Sequence, residues 1–195
     1  MQRMKAARRA KADDPHRPIY HYVNPEFRLN DPNGLCYWQG LWHLFYQALP
    51  PEDHREHWGH AVSYDLIHWR DLPYALGPGP EEKCYSGTAL VEESNGDREA
   101  RVVVMYHAPN VGNMVAISHD PLLLNWEKIE GGRPVIPLAP ADGPPLPYEV
   151  YDPCVAVRVY PGRPDSTGVS LLSRGQASEL LSLDCWQMKN VYEES

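Results

Sequence analysis

Trp58-Gly59-His60-Ala61-Val62-Ser63-Tyr64-Asp65-Leu66-Ile67-His68-Trp69 is the stretch whose reading decides the fold. An alternating apolar run ends in a Ser-x-Asp turn, and a tryptophan then opens a further run. The same paragraph returns as Asn113-Met114-Val115-Ala116-Ile117-Ser118-His119-Asp120, closing on Asn125-Trp126. A weaker third copy is Glu179-Leu180-Leu181-Ser182-Leu183-Asp184-Cys185-Trp186, with a shortened turn. Each copy follows a strand-like run and a loop: Leu44-Phe45-Tyr46-Gln47, Val102-Val103-Val104-Met105-Tyr106-His107, and Val169-Ser170-Leu171-Leu172-Ser173. A recurrence of roughly 55 to 60 residues, rich in short strands with a tryptophan at a fixed place, predicts the blades of a β-propeller. A β-sandwich whose turns merely coincide is the alternative. The chain holds about two such blades and the start of a third, where a closed propeller takes about four to eight. It reads as unfinished, with open strand edges and a weakly stable assembly as the expectation.

Composition agrees with an all-β chain. Twenty prolines in 195 residues disfavour long helices. A net charge of −8 speaks against a general affinity for nucleic acid or anionic membrane. Residues 1–12 are basic but lack the apolar centre of a secretory signal, and no stretch approaches the length of a membrane span. Residues 1–17 read as an arm or short solvated helix, residues 18–195 as the propeller part, and the cytoplasm as the address. Cys36, Cys84, Cys154 and Cys185 are widely spaced, so neither a metal nor a disulfide framework is expected, and all four read as small core residues.

Three short segments precede the predicted innermost strands. Leu29-Asn30-Asp31-Pro32-Asn33-Gly34 comes before Leu35-Cys36-Tyr37-Trp38, and Gln39-Gly40 then turns the chain back into a hairpin. Tyr85-Ser86-Gly87-Thr88 comes before Ala89-Leu90-Val91, and Tyr151-Asp152-Pro153 before Val155-Ala156-Val157-Arg158-Val159. Inner strands of successive blades converge on the axis, so Asp31 and Asp152 would face one pocket. The turn chemistry of Asn-Asp-Pro-Asn-Gly is by itself a sufficient reason for those residues; the recurrence of a polar site at three strand mouths is more than turn chemistry predicts. Paired carboxylates are what glycoside hydrolysis needs, one as nucleophile or base and one as acid. Trp58 and Trp38 offer apolar faces for a sugar ring or for the core, and Asn30, Gln47 and His60 offer hydrogen bonds.

The ordered set Asn30-Asp31-Pro32-Asn33-Gly34, Phe45-Tyr46-Gln47, Trp58-Gly59-His60-Ala61 and Tyr85-Ser86-Gly87-Thr88 resembles glycoside hydrolase family 32, the β-fructosidases. The likeness runs from about His21 to Trp186. It implies a five-bladed propeller, usually followed by a β-sandwich, and retaining hydrolysis of β-fructofuranosides of the sucrose, levan or inulin type. By the match Asp31 is the nucleophile and Asp152 the transition-state stabiliser of an R-D-P motif. Asn30, Gln47, Trp58 and Ser86 match substrate-pocket positions, and no metal or organic cofactor is implied.

Two departures stand out. Tyr151 replaces the arginine of R-D-P, losing a bidentate donor. The family's acid/base glutamate sits in an E-C motif downstream; neither Asp184-Cys185 nor Glu193 and Glu194 matches it, so the acid/base is expected to be absent and the chain alone nearly inactive. The other functions these residues allow are an arabinan-type furanosidase and a sugar-binding propeller without catalysis. Self-association that completes the ring is a further expectation.

Overall fold

The computed structural model describes residues 1–94, 96, 99–139, 142–144, 150–160 and 163–172, with backbone alone from residue 156 onward. The second half of the third repeat, Cys185, Glu193 and Glu194 lie outside these residues, and so does the expectation about the acid/base glutamate.

The first sheet is a four-stranded antiparallel meander of β1 (Pro32–Trp38), β2 (Leu41–Ala48), β3 (His57–Ser63) and β4 (Trp69–Leu76). The second runs through β5 (Gly87–Glu92), β6 (Arg101–Ala108), β7 (Gly112–Ser118) and β8 (Glu127–Lys128), and β9 (Ile136–Pro137) continues along β7. The hairpin of β10 (Cys154–Tyr160) and β11 (Arg163–Leu172) opens a third unit. The chain is thus all-β with one short helix, built as consecutive blades of a β-propeller.

The Ser-x-Asp-Trp repeat is a folding device. In the first blade the Ser63 hydroxyl accepts from the amides of Asp65 (3.2 Å) and Leu66 (2.9 Å), and Asp65 Oδ1 accepts from the amides of Ile67 (2.9 Å) and His68 (2.7 Å). Leu66 takes φ +63° and its carbonyl accepts from the Trp69 indole at 3.1 Å. The second blade repeats this: Asp120 accepts from the amides of Leu122 and Leu124, Leu123 takes φ +52°, and its carbonyl accepts from the Trp126 indole at 2.9 Å. A left-handed leucine costs about 1–2 kcal/mol, and these converging bonds offset it.

Blades meet through one apolar layer. Cys36, Trp38, Phe45, Trp58 and Leu76 of the first pack on Val102, Val104, Tyr106, Met114 and Leu123 of the second. The Trp38 indole donates to the Asp120 carbonyl at 3.0 Å, tying the first blade to the turn of the second. A second cluster, Val103, Met105, Val115, Ile136, Val150 and Val155, joins the second blade to β10.

The structure corrects the sequence reading at several points. Asn33-Gly34 does not turn the chain ahead of a strand: β1 already begins at Pro32, and the register shift between Asn33 and Cys36 makes the pair a bulge within it. Gly34 stands at φ +52°, where an added Cβ would lie 3.1–3.3 Å from Phe45, Trp58 and Ala89. The predicted Gln39-Gly40 hairpin turn is present, with both residues at positive φ as a two-residue turn demands. The basic arm is a helix, α1 (Gln2–Ala10), docked on the first blade rather than solvated. Met4 is buried, and Arg8 grips both carboxylate oxygens of buried Asp71, which also accepts from Tyr22 at 2.9 Å. Of the cysteines, Cys36 and Cys84 are in the core with thiols pushed up to about 12 by burial, but Cys154 is exposed.

His60 does not reach the surface. It lies fully buried, with its Nε2 2.9 Å from Nδ1 of buried His43. Burial pulls His43 down to about 4; burial and the neighbouring His43 pull His60 down to about 3. Both rings are therefore neutral in the fold, whereas in the unfolded chain each takes up a proton near pH 6.5, roughly the free value. The native state binds fewer protons, so stability should fall as pH drops from about 7 toward 4, by up to about 1.4 kcal/mol per pH unit for each ring. Urea midpoints between about pH 7 and 5 check this, a window above the ordinary carboxylate range. A His43→Gln/His60→Gln double variant should flatten the slope.

Candidate active site

Strand register builds the site. Pro32 pairs with Tyr46, so the next step outward sets Asp31 across from Gln47. The Gln47 amide donates to the Asp31 carbonyl at 2.9 Å and the Asn30 amide to the Gln47 carbonyl at 3.2 Å, extending the ladder beyond β1. The side chains then close a directed chain. Asn30 Nδ2 donates to Gln47 Oε1 at 2.7 Å, which leaves the Gln47 Nε2 amide to donate to Ser86 Oγ at 2.8 Å and to Asp31 Oδ2 at 3.3 Å. Ser86 Oγ in turn donates to Asp31 Oδ2 at 2.8 Å. One carboxylate oxygen is held by two donors. Both bonds address Oδ2, and the residue itself is exposed.

Ser86 arrives from the second blade. The β5–β6 pairing continues past Gly87, with the Tyr85 amide donating to the His107 carbonyl (2.8 Å) and the His107 amide to the Ser86 carbonyl (3.0 Å). An added Cβ at Gly87 would lie 2.0 Å from the Met105 carbonyl oxygen, so only glycine admits this approach. The Gly87 amide points to Asn33 Oδ1 at 3.4 Å across the two blades. In the third unit Val155 donates to Thr88 Oγ1 at 2.8 Å, which seats β10 beside β5. Asp152 thereby stands, exposed, just ahead of β10, at the place Asp31 holds ahead of β1.

The structure thus joins Asn30, Asp31, Gln47 and Ser86 in one hydrogen-bonded group; Asp152 makes no hydrogen bond to it among the described residues. Trp58 is placed otherwise than an exposed sugar platform: it has no exposed surface, and its indole donates to the Tyr85 carbonyl at 2.8 Å. It supports the strand mouth from below. Trp38 is core.

The sequence reading passed over Glu81. This carboxylate is almost fully buried under the loop that delivers Ser86. It accepts from Tyr106 at 2.8 Å and from the Gly79 amide at 3.1 Å, and pairs with Lys128, which also donates to the Gly77 carbonyl. Burial works against its ionised form, but the Lys128 and Tyr106 hydrogen bonds outweigh that and hold it below the usual carboxylate range. No local pattern announces a partner 47 residues away. Among the described residues no group of three His, Cys, Asp or Glu side chains is placed to hold a metal ion.

The family profile described as "Glycosyl hydrolases family 32 N-terminal domain" matches residues 21–162. The chain belongs to this family. A levanase of Bacillus subtilis is 39% identical over 135 residues, covering 64% of this chain and 20% of the levanase. An extracellular exo-inulinase of Aspergillus awamori is 33% identical over 165 residues, covering 70% of this chain and 30% of that enzyme. Among solved structures, fructan 1-exohydrolase IIa of Cichorium intybus superposes with a TM-score of 0.61 at 27% identity, over 84% of this chain and 30% of that one. This family 32 chain therefore spans about a fifth to a third of these relatives.

Proposed function

We propose that this chain carries the nucleophilic half of a retaining β-fructofuranosidase acting on fructosides of the sucrose, levan or inulin type. The observation that carries the reading is Asp31, exposed at the mouth of an inner strand with one oxygen gripped by Ser86 and Gln47. Fixing Oδ2 leaves Oδ1 to attack. Those hydrogen bonds hold the carboxylate in a single rotamer for approach to the anomeric carbon. Oδ1 forms the bond to that carbon as the bond to the leaving group breaks, giving a covalent fructosyl ester that water then cleaves. Asp152 faces the developing positive charge and binds fructose hydroxyls, while Asn30 orients Gln47, Ser86 aligns Asp31, and Trp58 holds Tyr85.

A sugar leaving group needs a proton from a general acid, worth about 10²- to 10⁴-fold in rate. Fluoride does not. The chain should therefore turn over β-D-fructofuranosyl fluoride, releasing fluoride and fructose. Acid quenching should trap a mass increment of one anhydrohexose on the peptide holding Asp31. Binding of the fluoride without release would make this a sugar-binding site instead, and neither binding nor release would overturn the fructoside reading altogether.

A further inference from the structure

The loop that brings Ser86 from β4 to β5 begins Gly77-Pro78-Gly79-Pro80. Its two prolines have no amide to donate, and its two glycines leave the backbone many conformations. The local sequence therefore does not fix where the loop delivers its end. Glu81 supplies that constraint. Its almost fully buried carboxylate accepts from the Gly79 amide within the loop at 3.1 Å, from the Tyr106 hydroxyl of β6 at 2.8 Å, and from the Lys128 ammonium of β8. Lys128 also donates to the Gly77 carbonyl at 2.8 Å and so holds the entry of the loop. On the other side, the Glu81 carbonyl accepts from the Lys83 amide at 2.7 Å, and the Cys84 amide donates to the Glu56 carbonyl at 2.9 Å. Tyr106 closes the circuit: its hydroxyl holds Glu81 while its backbone pairs with Gly87, the residue after Ser86.

We propose that Glu81 is a positioning residue for Ser86 and, through it, for Asp31: the clamp of Glu81, Lys128 and Tyr106 sets the loop so that Ser86 Oγ meets Asp31 Oδ2 from the neighbouring blade. Stability alone does not account for this clamp. A buried ion pair loses in desolvation much of what it gains in attraction, and well-packed apolar side chains often serve stability as well. What the charged group adds is direction, since its hydrogen bonds tie the loop at Gly77 and Gly79 to β6 and β8. The bond that depends on this placement, Ser86 Oγ to Asp31 Oδ2, crosses between blades at 2.8 Å. A displacement of about 1 Å at such a contact can cost about 10²-fold in rate. Being buried, Glu81 acts through Ser86 rather than on the sugar.

This inference rests on the fructoside reading, and steady-state fluoride release from β-D-fructofuranosyl fluoride separates the two. In the parent chain Glu81→Gln, which removes the charge and keeps one acceptor oxygen, should lower kcat about 10- to 100-fold and move KM by less than about threefold. In a Ser86→Ala chain the same substitution should change kcat by less than about twofold, because the bond it acts through is already gone. Urea midpoints, by contrast, should fall equally in both chains. A purely structural role would not give that combination, since lost stability lowers turnover by one factor whatever stands at position 86. Tyr106→Phe removes a single hydrogen bond from Glu81 and leaves the ring in the core, so the same cycle with this variant decides the question if Glu81→Gln does not fold. Equal losses of kcat in the two chains, or no loss in the parent, would overturn the positioning role and leave the fructoside site standing. A parent that releases no fluoride overturns the fructoside reading and the positioning role with it.

Discussion

Asp31→Asn should lower turnover of fructosyl fluoride by about 10⁴-fold or more while leaving the fold and the affinity for fructose nearly unchanged. The size follows from the role: removing a group that forms the covalent intermediate takes away the reaction path itself, and losses of this order are common for nucleophiles. Retained structure follows from the geometry. Both donors to Asp31, Ser86 Oγ and Gln47 Nε2, address Oδ2, and the amide oxygen of asparagine can accept both. The backbone anchors, Gln47 to the Asp31 carbonyl and Asn30 to the Gln47 carbonyl, do not involve the side chain at all. A thermal midpoint within a degree or so of the parent, together with lost fluoride release and lost adduct on the Asp31 peptide, is the expected set. Turnover within tenfold of the parent would remove Asp31 from the nucleophile's role.

Gly87→Ala should be strongly destabilising. Its Cβ would lie 2.0 Å from the Met105 carbonyl oxygen, 2.7 Å from Tyr106 Cα and 2.9 Å from the Met105 carbonyl carbon. All three are backbone atoms of the neighbouring strand, so no side-chain rotation relieves the overlap and β5 must separate from β6. We expect about 3 kcal/mol or more of lost stability, the upper end for overpacking. The site suffers with the sheet, because Ser86 is the next residue and the Trp58 indole bonds to Tyr85 one further on. Gly40→Ala is the informative contrast. Gly40 has nothing within 4 Å of an added Cβ, but its φ of +84° carries a backbone penalty of about 1–2 kcal/mol. Urea unfolding of the two variants side by side checks the ranking. An equal loss would mean that backbone conformation, not interstrand clearance, governs both positions.

Gly59 shows how far such constraints were readable beforehand. The Trp58-Gly59-His60 run stood out as a motif, but the reason for its glycine is the ring of Tyr46 on the adjacent strand, whose carbons would be 2.3 Å from an added Cβ. That ring is fully buried, and its hydroxyl lies 2.9 Å from that of Tyr22 in the network that also holds Asp71 and Arg8. Arg8 looked like part of a solvated basic arm because its partner lies 63 residues on. His60 looked available to a substrate because strand alternation alone does not say which sheet faces will be covered. Here both are, since every residue of β3 from Trp58 to Ser63 is buried, and His60 meets His43 and, 4.6 Å away, the ring of Phe45, both on β2.

What the sequence determined by itself is the part held by short-range chemistry. The Ser-x-Asp-Trp turns close through bonds two to five residues apart, the Gln39-Gly40 hairpin needs only two left-handed residues, and alternating apolar strands follow from their own period. These sufficed for a propeller and for the places of Asp31, Ser86 and Asp152 at strand mouths. Tertiary structure decided everything that depends on which strand lies beside which. It put Gln47 opposite Asp31 through the β1–β2 register, carried Ser86 across from the second blade, buried Trp58 as a support, and paired Glu81 with Lys128. Those contacts join residues 16 to 55 positions apart. Their geometry is set by the packing of one blade on the next, where burial of the shared apolar layer, rather than any local preference, selects the arrangement.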